Sequence, residues 1–286
     1  MSKFISKSLS FAFFITTVLF TFIPESFFGK IEFINQNHLE KIQIFNYFEA
    51  QDINIIVFRV MFFVIVFIFV SLIYAIVLNF QNHVTIKGHN YLIEIRYGDI
   101  FKYKNSKRVI NFDECFTTHI GDLTADINST SICGQYLLSH PDLDIQQLID
   151  TFKITPAKGK SKYQNKSRYS PGTIIPNGDD LLMAFAKLDE KGKGRFFSRD
   201  EYLDCLDLLW KELENYYADK DVYIPVLGSG TTSFDGSDGA SFTQQELLDI
   251  MICSYKLSSH KIKAPHKLCI VCRKNDGFSI NRIENS

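Results

Sequence analysis

Val60–Phe80 reads VMFFVIVFIFVSLIYAIVLNF, 21 residues without a charged side chain. As a helix rising about 1.5 Å per residue it spans about 31 Å, the hydrocarbon thickness of a bilayer. The stretch divides the chain in two. Before it lie a second apolar run and a connector; after it, residues 86–286 read as one soluble α/β domain. The expected organisation is a membrane region at 1–85 with two transmembrane helices, at about 9–28 and 60–80, and a separate domain at 86–286.

The first run, LSFAFFITTVLFTFI at Leu9–Ile23, follows Lys3 and Lys7. That pattern suits either a first membrane span or the apolar region of a signal peptide. The helix is the preferred reading, because the following PESFFGK lacks a small-x-small cleavage site and the apolar character extends through Phe27 and Phe28. Two spans put both termini on one side. Between them, Leu39, Ile42, Phe45 and Phe48 fall at helical spacing, which fits either an interfacial amphipathic helix or a short extracytoplasmic hairpin. Arg59 is read as an edge residue that snorkels to the headgroups.

Over the whole chain the formal net charge is -1, so no global basic excess argues for a nucleic acid and no acidic excess argues for a disordered tail. All six cysteines fall after residue 114, irregularly spaced in mostly apolar surroundings. This suits reduced thiols and a cytoplasmic domain rather than a disulfide framework.

Within that domain, YLIEIRYGDI and RVINF read as strands, and Ser131–Ser139 and LDIQQLIDTF as helices, the latter capped by Asp142 or Asp144. SPGTIIP and LLMAFAK form a strand pair about the turn Asn177-Gly178-Asp179. Ser198 with Glu201, and Thr243 with Glu246, are capping boxes opening two further helices. VYIPVLGSG and HKLCIVCRK supply the last strands. Strands alternating with helices predict a mixed sheet covered on both faces, a three-layer α/β/α sandwich. Residues 155–170 carry Lys158, Lys160, Lys162, Lys166 and Arg168 with little apolar content. They read as a solvated basic insertion, or as an attractor of an anionic ligand or acidic leaflet.

In open α/β sheets, ligands sit beyond the C-terminal ends of strands. Two glycine turns occupy such places: Gly98-Asp99-Ile100 and Gly228-Ser229-Gly230-Thr231-Thr232. Without a Cβ in the way, glycine turns let backbone amides converge on a phosphate, although such turns often do nothing more than redirect the chain. Together with SxxGQ (Ser131, Gly134, Gln135), SPGT (Ser170 to Thr173) and IPVLGSG (Ile224 to Gly230), the GDI turn resembles the macro-domain family over most of Tyr91 to Lys274. The resemblance implies that Asp99 accepts from the adenine amino group with Ile100 beside it. It implies that Ser131 and Gly134 face phosphate at a helix N-terminus, and that Gly228, Ser229, Gly230 and Thr231 cradle the diphosphate and distal ribose.

One departure bears on activity. Hydrolytic macro domains carry an asparagine-rich segment after the second strand, whereas this chain has NFDECFTTH from Asn111 to His119. Binding is therefore favoured over catalysis and no catalytic residue is assigned. Asp113 is kept as a ligand contact to a ribose, against a plain role as a loop carboxylate; the competing reading makes Asn111 and Asp113 position a water in a membrane-tethered ADP-ribosyl hydrolase.

The pairing of two spans with such a domain resembles a narrower group, the membrane-anchored macro-domain effectors of bacterial Thoeris antiphage defence. That likeness implies a multi-pass protein of the bacterial inner membrane and a cytoplasmic sensor of an ADP-ribose derivative made from NAD. It further implies a functional link to a TIR-domain enzyme that makes the signal, assembly into a homo-oligomer on activation, and membrane disruption by the spans. No nucleic acid, cofactor or metal is expected. Cys269 and Cys272 sit in an alternating strand, so they point to opposite faces and cannot chelate together. Cys115 and His119 lack an identifiable oxyanion donor or third partner.

Overall fold

The computed structural model describes residues 2–24, 50–196, 198–230, 232–234, 242–274 and 278–283. It divides into two compact units, Met1–Gln81 and Asn82–Ser286.

The N-terminal unit holds α1 (Ser2–Phe22) and α2 (Ala50–Phe80). Both are long and apolar enough to cross a membrane, over Phe4–Phe22 and Gln51–Leu78. They run antiparallel, for Phe4 stacks on Tyr74 at 5.3 Å, while Phe13 meets Phe63 and Phe20 meets Phe62, each at 5.6 Å. Ser8, Ala12 and Thr16 are buried at four-residue spacing, where small side chains let helices approach closely. The outer faces stay apolar and exposed, with Ile65, Ile68, Phe69 and Leu72 among them. α2 begins ten residues before the uncharged stretch, so Arg59 lies inside the helix, its guanidinium 5.6 Å from the Phe20 ring centre. Helix α1 ends at Phe22, just ahead of Pro24, a residue that cannot continue the hydrogen-bond ladder. The extension through Phe27 and Phe28 and the interfacial segment around Leu39 to Phe48 lie outside the described residues.

The second unit opens with β1 (His83–Lys87), a short strand that alternates exposed and buried side chains. There follow β2 (Leu92–Tyr97), β3 (Lys107–Asp113), α3 (Ile132–Ser139), α4 (Ile145–Phe152), β4 (Ile174–Asn177) and β5 (Asp180–Leu188). The chain continues through β6 (Gly194–Phe196), α5 (Arg199–Tyr216), β7 (Val222–Pro225), β8 (Ser233–Phe234), α6 (Gln244–Leu257) and β9 (Lys267–Cys272). Strand order is β1-β2-β9-β7-β3-β5-β6-β8, with β4 also on β5. From β2 to β5 along this order the neighbours run parallel; β1 pairs antiparallel with β2, β4 and β6 pair antiparallel with β5, and β8 pairs parallel with β6. This is the expected mixed sheet.

Central strands buried on both faces read as continuous apolar runs, and Leu181 to Ala186 of β5 are all buried. One face packs on α5 and α6, where Tyr202, Cys205, Leu206, Leu209, Trp210 and Leu213 form the inward stripe. The other packs on α3 and α4 through Phe112, Tyr136, Leu137 and Ile149. Cys269 joins the side of Tyr223 and Val271, while Cys272 joins the α5/α6 side, the opposite facing that period-two geometry requires. Helix α4 is capped by Asp144, whose carboxylate accepts from the Gln147 amide at 2.9 Å. The Thr243–Glu246 capping box is complete, and at Ser198 the hydroxyl accepts from the Glu201 amide.

Candidate functional site

Parallel neighbours place the C-terminal ends of β2, β9, β7, β3 and β5 along one edge, and there the chain encloses a cleft of about 1040 Å³. Its walls include Asp99, Ile100, Asp113, Ser131, Gly228, Ser229 and Gly230. Thr231 lies outside the described residues, and Gly134 is not part of the wall.

Each wall residue has a local cause. Asp99 follows β2 and caps the short 3-10 turn Ile100–Lys102, its Oδ1 accepting from the Phe101 amide at 3.0 Å. The exposed carboxylate faces the cleft while Ile100 anchors the turn in a small core with Tyr223, Cys269 and Val271. Gly98 has no Cβ because the Tyr103 hydroxyl occupies that space, 2.5 Å from where the carbon would be.

Ser131 is the N-cap of α3, accepting from the Gly134 amide at 2.9 Å and donating to the Asn128 carbonyl at 2.7 Å. The Gly134 amide is thereby used within the helix end. A Cβ on Gly134 would lie 2.1 Å from the Asn128 carbonyl oxygen, so this glycine lets the incoming loop press against the helix. It shapes the wall from behind.

At the end of β3, Asp113 is 9% exposed, and its Oδ1 accepts from the amides of Cys115 at 2.7 Å and Thr117 at 3.3 Å. Burial raises its pKa above the ordinary carboxylate value in spite of hydrogen bonds from Thr117 and Cys115 that act the other way. One of its oxygens thus holds the loop that leaves the strand.

The turn after β7 is supported from beneath. Gly228 has φ +83°, and an added Cβ would sit 2.9 Å from Cζ of Phe234. The Tyr202 hydroxyl donates to the Leu227 carbonyl at 3.1 Å, and the Ser229 hydroxyl closes the turn on the Val226 carbonyl at 2.7 Å. Gly230 faces open space.

The structure brings further residues to the cleft. Asn111 points in from β3. The turn Leu123–Asp126 forms a lip, with the Asp126 carboxylate accepting from the Leu123 amide at 3.0 Å. The Gly192–Gly194 segment forms the facing lip, where a Cβ on Gly192 would meet Ala125 at 2.4 Å. Gln244 and Arg273 complete the wall between β9 and α6. Asn111 is the residue that the hydrolase reading names from the sequence, and for Arg273 the available signal was an arginine directly after β9; the lip residues depend on loop packing that no local pattern records.

Burial, with no cationic partner strong enough to offset it, pushes the Cys115 thiol up to about 11, so the side chain is a thiol rather than a thiolate nucleophile near neutral pH. Its neighbour in sequence, His119, faces Asp126 at 3.9 Å. Among the described residues no group of three histidine, cysteine or acidic side chains is placed to hold a metal.

Residues 93–273 match the family model described as Thoeris protein ThsA, Macro domain. The chain is 34% identical over 213 residues to a Thoeris protein ThsA from Bacillus amyloliquefaciens (strain Y2), covering 71% of this chain and 70% of that protein. Solved structures with a similar course include an Oceanobacillus iheyensis macrodomain with MES bound, at TM-score 0.43 and 13% identity over 68% of this chain and 91% of that one. A mutant of the same macrodomain with ADPR gives TM-score 0.42 and 11% identity, again over 68% and 91%.

Proposed function

The chain belongs to the family of ThsA macro domains of the Thoeris system, and from that premise we propose that it is a membrane-anchored antiphage effector. In this reading the macro-type domain is a cytoplasmic sensor of an ADP-ribose-type signal derived from NAD, and α1 and α2 are the output that disrupts the bilayer. The observation that carries it is the cleft: Asp99, Ser131 and the Gly228–Gly230 turn, far apart in sequence, share one cavity at the strand ends. Its volume suits a dinucleotide-sized ligand. Asp99 keeps an oxygen for a base amino group, and an open glycine turn on a firm support suits a diphosphate.

Signalling adds a thermodynamic condition. The nucleotide must bind the active assembly more tightly than the resting one, because equal affinities shift no equilibrium. A TIR-domain enzyme as the source of the signal and a homo-oligomer as the active state complete the proposal. Its test is the full chain in dye-loaded vesicles: ADP-ribose or an ADP-ribose conjugate should release dye and enlarge the particle. Dye retention and unchanged size with every nucleotide tried would remove the effector reading.

The hydrolase alternative draws on Asn111, whose side chain faces the cleft beside Asp113. Against it, one Asp113 oxygen is committed to two backbone amides. Chromatography of the nucleotide after incubation separates the readings: intact ligand supports a receptor, released product an enzyme.

A further inference from the structure

We infer that Arg273 is the residue of this cleft that recognises the negative charge of the nucleotide. This rests on the nucleotide-binding reading above and deepens it by naming a side-chain contact for the diphosphate.

Arg273 follows Cys272 directly, at the C-terminal end of β9. In the sheet, β9 lies between β2, whose end leads to Asp99, and β7, whose end leads to the glycine turn. The arginine therefore stands between the two places that the nucleotide reading gives to the base and to the diphosphate. Its backbone is fixed on both sides: the Arg273 amide donates to Oε1 of Gln244 at 3.2 Å, and Nε2 of Gln244 donates back to the Arg273 carbonyl at 2.9 Å. Gln244 is itself buried at 7% exposure, so the pair is a firm mount. Arg273 is exposed and lines the cleft, and its guanidinium has no hydrogen-bond or ion-pair partner among the described residues.

Charge balance explains why such a group is needed. Asp99 and Asp126 line the cleft beside the buried Asp113, against Lys193 on the far lip and Arg273. A dianionic diphosphate entering a cavity lined by carboxylates is repelled by them unless a cation meets it directly. A guanidinium offers a planar fork of donors matched to phosphate oxygens. Lys274, the next residue, is an internal control because it carries the same charge but lies 5.3 Å from the Tyr97 ring and does not line the cleft.

Calorimetry of ADP-ribose binding to the full chain in lipid nanodiscs, at about 50 mM and about 500 mM salt, tests the assignment. Arg273→Gln should weaken binding by about tenfold or more at low salt and flatten its salt dependence, with an unchanged melting temperature. Arg273→Lys should recover part of the loss, and Lys274→Gln should stay within about twofold of the parent. Equal affinity of Arg273→Gln and parent, or equal losses for Arg273→Gln and Lys274→Gln, would overturn the assignment and leave the nucleotide reading intact. Failure of the parent chain itself to bind would overturn both.

Discussion

The Ser161 hydroxyl donates to Oε1 of Glu114 at 2.6 Å, with the carboxylate 1% exposed. The same oxygen accepts from the Leu188 amide at 3.1 Å, Arg168 lies 3.5 Å from Oε2, and the Glu114 carbonyl accepts from the Tyr169 amide at 2.7 Å. One residue at the end of β3 thereby fastens the basic insertion to β5. Removing it leaves the Ser161 hydroxyl and the Leu188 amide without this acceptor in a closed site and takes the ion-pair partner from Arg168, which keeps its hydrogen bond to the Lys158 carbonyl. Glu114→Ala should cost about 3 kcal/mol in chemical denaturation and make residues 157–168 the first site of tryptic cleavage. An unchanged cleavage pattern would show that the insertion holds by other means.

Asp113 separates a structural role from a ligand role. Its raised pKa means that the neutral form is favoured in the fold: the associated stability is fully present below the unfolded value and is lost as pH rises through the folded value. An amide side chain can accept from both amides without a buried charge. Asp113→Asn should therefore stay within about 1 kcal/mol of the parent at pH 7 and show a flatter stability profile between pH 4 and 7, whereas Asp113→Ala should lose about 2 kcal/mol. Equal losses in both variants would contradict the acceptor role.

The three glycines should behave differently under Gly→Ala substitution. At Gly134 the new carbon meets a backbone carbonyl at 2.1 Å, and destabilisation of about 2 kcal/mol or more is expected. At Gly228 the positive φ adds about 1–2 kcal/mol of strain, and the support on Phe234 would shift. At Gly230 nothing lies within 4 Å, so stability should hold within about 0.5 kcal/mol. Melting curves of the three variants check the order; a Gly230→Ala protein as unstable as Gly134→Ala would show that the turn is packed elsewhere.

His260 and Glu214 join the turn after α6 to α5, with Nδ1 to Oε2 at 2.7 Å. The hydrogen bond with His260 lowers the Glu214 pKa below the usual 4.5. A depressed carboxylate contributes stability above its unfolded pKa and loses it as pH falls through the folded value. Both side chains are about one-third exposed, so the contribution is about 0.5 kcal/mol. Glu214→Gln should lower the melting temperature slightly at pH 7 and converge with the parent as pH falls through the folded carboxylate value; an offset that stays constant throughout acid titration would contradict the linkage.

Much of the architecture is legible in the sequence because its signals are local. The uncharged run at Val60–Phe80 gives a helix, the stripe from Tyr202 to Leu213 gives the core face of α5, and Thr243 with Glu246 gives a helix start. The strand-end turns at Asp99 and Gly228 are legible for the same reason, as glycines just after apolar runs. What the sequence hides is relational. Gly134 belongs to a helix-entry motif, yet only the approach of Asn128 shows it to be a packing residue. His83 to Lys87 is short and flanked by polar residues, and pairing with β2 makes it a strand. Arg273 gains its place from β9 lying between β2 and β7, an order that no chain-local pattern contains.

The central claim is that the cleft at the strand ends binds an ADP-ribose-type nucleotide. Calorimetry of the full chain in nanodiscs with ADP-ribose and its conjugates addresses it most directly. The account predicts saturable binding of at least one of these ligands, lost in a Gly230→Asp variant whose melting temperature is unchanged, because the new carboxylate would face the diphosphate from a position with room for it. No heat and no thermal shift up to about 1 mM of any of these nucleotides, or equal binding by Gly230→Asp, would contradict it.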